Sequence, residues 1–218
     1  MKNKRIIGIL LAGLLSLPLV VQAQGTHARQ WGVGIRTGVG QNDPKTMNEI
    51  YDEAFDMGFS KKEITKNPVV FGLEGLYEWS LNDEANKLGV RAGLDIYGQN
   101  ELKLDGGYVK VTEDTYAFPI SLYYKKDNGI KKWSWFAGAG VTLIHTEAEI
   151  KIVAVDSEKS SKSKVFPHII AGGEYRFCKL FALGAEAKVN LGAKIKDDGD
   201  VISDRSGFSA AITGRFYF

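Results

Sequence analysis

Few groups in this sequence could perform acid–base or nucleophilic chemistry, and the run His145-Thr146-Glu147 is the densest of them. A histidine beside a hydroxyl can act as general base for a nucleophile. This run, however, continues a segment whose apolar residues recur at every second position, which predicts a β-strand. Neighbouring residues of a strand point to opposite faces, so Thr146 cannot share a face with His145. We therefore expect no catalytic dyad within this run.

Metal ligands and a structural disulfide are not predicted either. The three histidines, His27, His145 and His168, lack ligand spacing, and Cys178 is the only cysteine. We place His168 in an interior hydrogen-bond network and Cys178 at a strand end. A further acidic set does not follow EF-hand spacing and is interpreted as part of a solvated loop. Its members are Asp197, Asp198, Asp200 and Asp204. The sequence thus predicts no metal and no cofactor.

A larger set of ionisable residues lies on one face of the predicted strands. The ten charges have both signs, and the apolar positions of the same strands contain no charge. They are Arg36, Glu74, Glu78, Arg91, Asp95, Glu174, Arg176, Glu186, Lys188 and Arg215. Turned toward a bilayer midplane, each Arg or Lys would cost roughly 2–4 kcal/mol. We therefore predict an apolar face toward lipid and a polar, ion-paired face that fills a narrow lumen.

Eight segments carry this alternation. We predict strands over residues 30–40, 68–81, 87–102, 115–124, 132–150, 165–178, 181–191 and 207–218. The connections after the first, third, fifth and seventh segments are longer than the others. An even strand number with short turns at one end and long loops at the other is typical of outer-membrane barrels, with the short turns in the periplasm.

Aromatic residues give a second indication. In an up-and-down arrangement they fall at the short-turn end of the strands, all on the apolar face. They are Trp31, Tyr77, Trp79, Tyr124, Trp133, Trp135, Tyr175, Phe177, Phe181, Phe216 and Phe218. Aromatic side chains gathered at one height are typical of a membrane interface.

The glycine-rich alternating strands and the terminal Gly214-Arg215-Phe216-Tyr217-Phe218 resemble those of the small OmpX-, OmpW- and OmpA-like barrels, the outer membrane protein β-barrel domain family. The resemblance implies an all-β fold: an eight-stranded antiparallel up-and-down transmembrane β-barrel. It also implies that the barrel-assembly machinery recognises the last strand. Outer-membrane lipids and lipopolysaccharide are the other expected partners.

The first 23 residues form a predicted secretory signal peptide, with a basic start, an apolar stretch and Val21-Gln22-Ala23 before the cleavage site. Gly8, Gly13 and Pro18 interrupt the stretch and argue against a membrane anchor. Residues 24–218 form the predicted barrel domain. Cleavage removes three positive charges and no acid, so the formal net charge falls from +2 to −1. Nucleic acid is therefore not an expected partner.

Two loop segments have open interpretations. Residues 44–57 predict a short amphipathic helix in the first extracellular loop. Its apolar residues, among them Met47, Tyr51 and Phe55, could form a lid or recognition surface, but we favour local packing over the barrel mouth. Residues 156–164 predict a polar loop, whose Lys159, Lys162 and Lys164 could pair with lipopolysaccharide phosphates or be solvated in a flexible segment.

Some outer-membrane barrels of this size are lipid A deacylases or acyltransferases, and the resemblance brings that activity into consideration. The deacylase pattern is similar to His-x-Ser, whereas Glu147 stands here where the serine would be. We therefore expect no enzymatic activity, with lipid A modification as the weakest alternative. The favoured function is envelope integrity, adhesion or surface interaction by a plugged barrel. A narrow channel or lateral path for small hydrophobic compounds is the second hypothesis.

Overall fold

The computed structural model describes residues 29–40, 45–56, 62–81, 85–105, 108–128, 132–152, 157–197 and 200–218. The strands are β1 (Arg29–Gly40), β2 (Lys62–Thr65), β3 (Val69–Ser80), β4 (Asn86–Tyr97), β5 (Asn100–Leu104), β6 (Val109–Asn128), β7 (Trp133–Ile152), β8 (Glu158–Arg176), β9 (Phe181–Asn190), β10 (Lys194–Asp197), β11 (Asp200–Asp204) and β12 (Gly207–Tyr217). A helix, α1 (Lys45–Asp56), follows β1. The predicted signal peptide lies outside the described residues.

Eight of these strands close into a ring in the order β1, β3, β4, β6, β7, β8, β9, β12. The ring closes because β1 pairs antiparallel with both β3 and β12, for example Ile35 with Leu73 on one side and with Gly214 on the other. The predicted eight-stranded antiparallel barrel, with a short helix after its first strand, is confirmed. No helix in the described part of the chain is long and apolar enough to cross a membrane.

Alternate residues of each ring strand face opposite environments, as the period-two pattern predicts. On β1, Ile35 is 54% exposed on the outside whereas Arg36 is 5% exposed on the inside. On β3, Phe71 is exposed and Glu74 is buried in the same way. The described strands therefore have an apolar outer face and an interior that holds the charges.

The predicted ring of aromatic residues is present at the short-turn end. Neighbouring ring centroids lie 4.5 to 5.9 Å apart, in tilted, edge-on or stacked pairs. The chain of contacts runs through Trp31, Tyr77 and Trp79, through Tyr124 and Trp135, and through Trp133, Tyr175, Phe177, Phe181 and Phe216. Such contacts hold the rings at one height on the barrel wall.

At the other end, β6, β7 and β8 extend beyond the rest of the ring. The prediction of a loop over residues 156–164 is wrong, because β8 begins at Glu158 and pairs continuously with β7 from Ile150 onward. Pairing with a long neighbouring strand outweighs the polar composition of this stretch, since backbone hydrogen bonds do not depend on side-chain type.

The helix α1 packs against this extension. Met47, 2% exposed, contacts an apolar cluster formed by Leu102, Leu104 and Val111, with Ile50 and Tyr51 at its border. The favoured interpretation of local packing is therefore confirmed for these residues, which contact the inward-facing side chains of β5 and β6, while the helix also lies beside β11. The side chain of Phe55 lies outside the described part.

The predicted third strand is interrupted. Ile96 pairs with Tyr116 and Asn100 pairs with Glu113. The chain therefore advances four residues from Ile96 to Asn100 while β6 advances only three. The extra residue forms a β-bulge, after which the even-numbered residues, instead of the odd-numbered ones, point inward. Tyr97 and Asn100 consequently both point inward. β5 is thus a separate strand of the extension.

The loop predicted between the seventh and eighth segments, which carries the acidic set, contains the β10–β11 hairpin. Ala193 and Ile195 are buried with Val70, Tyr97 and Phe166. The hairpin therefore covers the extracellular end of the lumen. Of the acidic set, Asp204 accepts a hydrogen bond from the Ser206 backbone at 2.9 Å, whereas the other three side chains lie outside the described part.

Candidate functional site

The interior of the barrel holds an ion-pair network centred on Arg215. Its Nε donates to Glu74 Oε1 at 2.6 Å, its Nη1 to Glu174 Oε2 at 3.1 Å and its Nη2 to Glu186 Oε2 at 3.2 Å. The three carboxylates come from β3, β8 and β9. One guanidinium on the last strand thereby ties together strands from across the barrel, using the fixed fork of donors that arginine provides.

Glu74 is the matching anionic centre. Besides Arg215, its carboxylate accepts from Arg36 at 3.3 Å and from Arg91 at 3.5 Å. Arg91 also donates Nη2 to Glu186 Oε1 at 2.7 Å, and its Nη1 contacts the second oxygen. This bidentate pair crosses the lumen from β4 to β9. Each carboxylate in this layer is shared between cations, so the charges are compensated where water has little access.

Asp95 extends the network toward the extracellular end. Its Oδ1 accepts from Arg36 Nε at 2.6 Å and its Oδ2 from Lys188 Nζ at 3.0 Å. A cavity of about 20 Å³ remains beside these three residues. That volume holds about one water molecule.

A second part of the network lies toward the short-turn end. Lys125 Nζ contacts Glu174 and donates to Glu78 Oε1 at 3.1 Å and to Tyr217 Oη at 3.0 Å. Tyr123 Oη also donates to Glu78 at 2.9 Å. Lys125 is 1% exposed. It brings the central network to five cations and five carboxylates: Arg36, Arg91, Lys125, Lys188 and Arg215 with Glu74, Glu78, Asp95, Glu174 and Glu186.

Nine of the ten predicted interior charges are buried. The tenth, Arg176, is 25% exposed at the short-turn rim, where its guanidinium lies 4.4 Å from the Tyr217 ring centroid. Sequence reasoning missed Lys87, Lys125, Glu113 and Arg205, which are also buried. The first three continue the inward parity of their strands and could have been found by extending it. Arg205 follows β11 and carries no such signal.

Apolar side chains border the network and also lie among its charges. Toward the extracellular end, Tyr97, Ile144 and Phe166 belong to one buried cluster. Beside the charges themselves, Tyr123, Phe136 and Ile170 form another, and Leu76, Ala182 and Tyr217 a third. The Phe136 ring centroid lies 4.9 Å from the Arg215 guanidinium. The charges are thus covered by an apolar cluster toward the extracellular end and interleaved with apolar side chains elsewhere, which raises the cost of admitting a hydrated ion.

His168 is confirmed as a member of the interior hydrogen-bond network. It is 1% exposed, with Nε2 2.8 Å from Ser121 Oγ and Nδ1 2.8 Å from Thr142 Oγ1. Both ring nitrogens have partners, so the arrangement fixes the ring. In the described part of the chain, no three His, Cys, Asp or Glu side chains are placed to share a metal ion.

On the outer face of the barrel wall, His145 lies between a serine and a carboxylate. Its Nδ1 is 2.7 Å from Ser163 Oγ and its Nε2 is 3.1 Å from Glu147 Oε1. Thr146 points inward to Thr115 at 3.2 Å, as the strand alternation predicts. Ser163 was missed because it comes from β8, in a stretch predicted as a loop.

The lysines of the extracellular extension form surface ion pairs. Lys159 Nζ lies 3.2 Å from Glu149, which also contacts Lys151 at 3.3 Å. On β5, hydrogen bonds from Lys103 and then Lys110 lower the pKa of Glu101 below its ordinary value. Lys164 lies 5.8 Å from the Phe166 ring centroid. These lysines thus have partners within the chain.

A closed ring of eight antiparallel strands with an apolar outer wall, an aromatic rim at the short turns and a charged interior defines a transmembrane β-barrel of the outer membrane. The chain belongs to the family described as the outer membrane protein beta-barrel domain, whose profile matches residues 7–216.

Solved structures of similar fold include the attachment invasion locus protein Ail of Yersinia pestis, at 12% identity and a TM-score of 0.47, covering 87% of this chain and 99% of that one. Neisserial surface protein A has 11% identity and a TM-score of 0.46, with coverages of 89% and 98%. A major outer membrane protein of Thermus thermophilus has 11% identity and a TM-score of 0.50, with coverages of 88% and 100%. At such identities the likeness concerns the fold alone. No curated protein matches the chain.

Proposed function

We propose that this protein is a closed outer-membrane scaffold that supports the envelope and presents its extracellular extension for adhesion or surface interaction. The observation that carries this proposal is the balanced interior network of five cations and five carboxylates. Its members span the lumen from β3 and β4 to β9 and β12. A hydrated ion would have to displace these pairs and also pass the apolar cluster at the extracellular end. This role requires no catalysis.

The extracellular extension is the proposed working surface. The packing of α1 onto β5 and β6 gives it an ordered core. The lysines at its surface remain partly solvated, with Lys159 71% exposed despite its contact with Glu149. We therefore retain the phosphate groups of lipopolysaccharide as proposed contacts. Export through a cleaved leader and insertion by the barrel-assembly machinery also belong to the proposal.

Planar-bilayer recordings of the purified, refolded protein test the closed interior. We expect no sustained open level for the native chain. The double variant Arg91→Ala with Glu186→Ala removes a buried pair without changing the net charge, and we expect it to conduct. A control with Glu101→Ala and Lys103→Ala removes an extracellular pair and should remain closed. Stable conductance steps in the native protein would contradict the proposal.

A second candidate function is a lateral path for small hydrophobic compounds. It is favoured by a groove of about 690 Å³ lined by small residues of the wall, among them Thr37, Ala171, Ala185 and Ala210. The groove shares Ala210 and Glu186 with the lining of the small interior cavity. Uptake of a hydrophobic dye into proteoliposomes, faster with the protein than without it, would favour this alternative.

A further inference from the structure

Three polar side chains form a hydrogen-bonded chain on the outer face of β7 and β8: Ser163, His145 and Glu147. With its proton on Nε2, His145 donates to Glu147 and offers the Nδ1 lone pair to the Ser163 hydroxyl. This is the arrangement of a nucleophile, a general base and an orienting carboxylate. We propose that these residues hydrolyse acyl esters of lipids in the outer leaflet. The proposal adds a reaction to the scaffold role, which does not depend on it.

The strand geometry explains why the three side chains meet. His145 and Ser163 are direct cross-strand partners, and Glu147 lies two residues beyond His145 on the same face. On β8 the backbone N–H and C=O groups of even-numbered residues face β7, as the hydrogen bond from the Arg176 N–H to the Lys132 carbonyl shows. The backbone groups of odd-numbered residues face the other side, as the Pro167 carbonyl does when it accepts from the Leu191 N–H. Ser163 therefore belongs to a non-hydrogen-bonded pair, in which opposite side chains are closest.

The same alternation supplies a donor for the oxyanion of the reaction. The backbone N–H of Ser163 points away from β7. Strand pairing with β9 ends at His168, followed by the hydrogen bond from Leu191 to the Pro167 carbonyl, and within the described residues no strand pairs with that side of β8 between positions 158 and 166. The Ser163 N–H can therefore donate to the negative oxygen that develops when the serine hydroxyl attacks a carbonyl.

The position of this triad on the barrel wall indicates the class of substrate. On β7 the outward apolar residues run from Trp133, at the aromatic rim, to Leu143, 38% exposed. That distance matches the roughly 9–11 residues with which a strand crosses the bilayer. His145 is the next outward residue after Leu143, and Ser163 is the next after Val165. The triad thus lies at the outer interface, where lipid ester groups are found and acyl chains can lie along Leu143 and Val165.

The reaction proceeds in two balanced steps. Ser163 Oγ attacks the ester carbonyl carbon while its proton passes to His145 Nδ1. The bond to the alcohol oxygen then breaks, and that oxygen takes the proton. Water next attacks the acyl–serine ester, giving its proton to His145. Ser163 recovers a proton as the carboxylic acid leaves. The Glu147 carboxylate stabilises the imidazolium in both steps, and no other reactant is needed.

Two measurements on the full, refolded protein in mixed micelles test this site. The first is fatty-acid release, measured separately with diacyl phosphatidylethanolamine and with lipopolysaccharide, so that the two lipid sources are distinguished. The second is covalent labelling by a fluorophosphonate, located by peptide mass spectrometry. We expect acid release from at least one lipid and labelling at Ser163. Ser163→Ala should lose both, with a rate loss of at least about 10³-fold.

Matched controls separate chemistry from structure. Ser161→Ala removes a hydroxyl from the same face of β8, opposite Glu147, and should leave release and labelling unchanged. Glu147→Gln should reduce both, because a neutral amide stabilises the imidazolium poorly. The heat-dependent gel mobility of each variant verifies folding. Absent release from both lipids, equal release by the native protein and Ser163→Ala, or labelling spread over other serines would each overturn the proposal.

Discussion

Arg215 and Glu74 are joined by a 2.6 Å contact between Nε and Oε1, although 141 positions separate them in the chain. Glu74 also accepts from Arg36 and Arg91, so its removal leaves three buried guanidinium groups with a lost partner. We predict that Glu74→Gln lowers the free energy of unfolding by roughly 3–5 kcal/mol, the cost of breaking a buried pair. Denaturant unfolding in detergent micelles measures this.

The control for Glu74→Gln is Glu101→Gln, which breaks exposed pairs with Lys103 and Lys110. Exposed pairs contribute about 0–1 kcal/mol, so this variant should unfold close to the native protein. Equal losses of unfolding free energy in Glu74→Gln and Glu101→Gln would show that the interior network stabilises the fold no more than a surface pair does.

Close approach of β6 to β7 depends on glycine at position 140. A Cβ there would lie 2.0 Å from the Ile120 carbonyl oxygen, a backbone atom that cannot rotate away. We predict that Gly140→Ala destabilises the barrel by about 1–3 kcal/mol through overpacking. Gly214→Ala is the matched control, because its Cβ meets nothing closer than 3.7 Å. If the two variants lose the same free energy of unfolding, β6 and β7 do not approach each other closely at Gly140.

All four tryptophans, Trp31, Trp79, Trp133 and Trp135, lie at the aromatic rim. We predict that lipids brominated at different acyl positions quench each of them most strongly at the same shallow depth, because the rim holds them at one interface. Variants that keep a single tryptophan, with phenylalanine at the other three positions, resolve the depths in bilayers. A tryptophan quenched best at the bilayer centre is the result that this arrangement does not allow.

Glu101 provides a test by pH. Because Lys103 and Lys110 lower its pKa, its contribution to stability is present above its unfolded-state pKa and is lost as the pH falls through the folded-state pKa. We predict that Lys103→Ala with Lys110→Ala raises the Glu101 pKa toward its ordinary value. Carboxyl-carbon NMR titration measures it. Lys159→Ala, which affects Glu149 instead, should leave the Glu101 pKa unchanged.

Much of the barrel could be predicted because each ring strand separates lipid from a charged interior. The alternation of charged and apolar positions was sufficient to predict that Arg36 and Glu186 point inward. Extended to the next position of the same parity after Tyr123, it would also have predicted Lys125. The strand character of residues 158–164 could not be predicted, since their polar composition gives no alternation and pairing with β7 determines it. For this reason the sequence did not predict that Ser163 lies beside His145. The bulge before Asn100 likewise depends on one extra residue, which no pattern marks.

Alanine methyl NMR in lipid nanodiscs tests the division between lipid-facing wall and closed interior most directly, and it needs no substitution. Ala137, Ala139 and Ala171 are exposed on the outer face, whereas Ala117 and Ala182 are 0% and 1% exposed inside. We predict cross-peaks to lipid acyl chains from the three outer methyls only. The two interior methyls should show neither lipid cross-peaks nor broadening by a water-soluble gadolinium chelate. Broadening of Ala117 or Ala182 by the chelate would reveal a water-filled lumen and contradict the closed barrel.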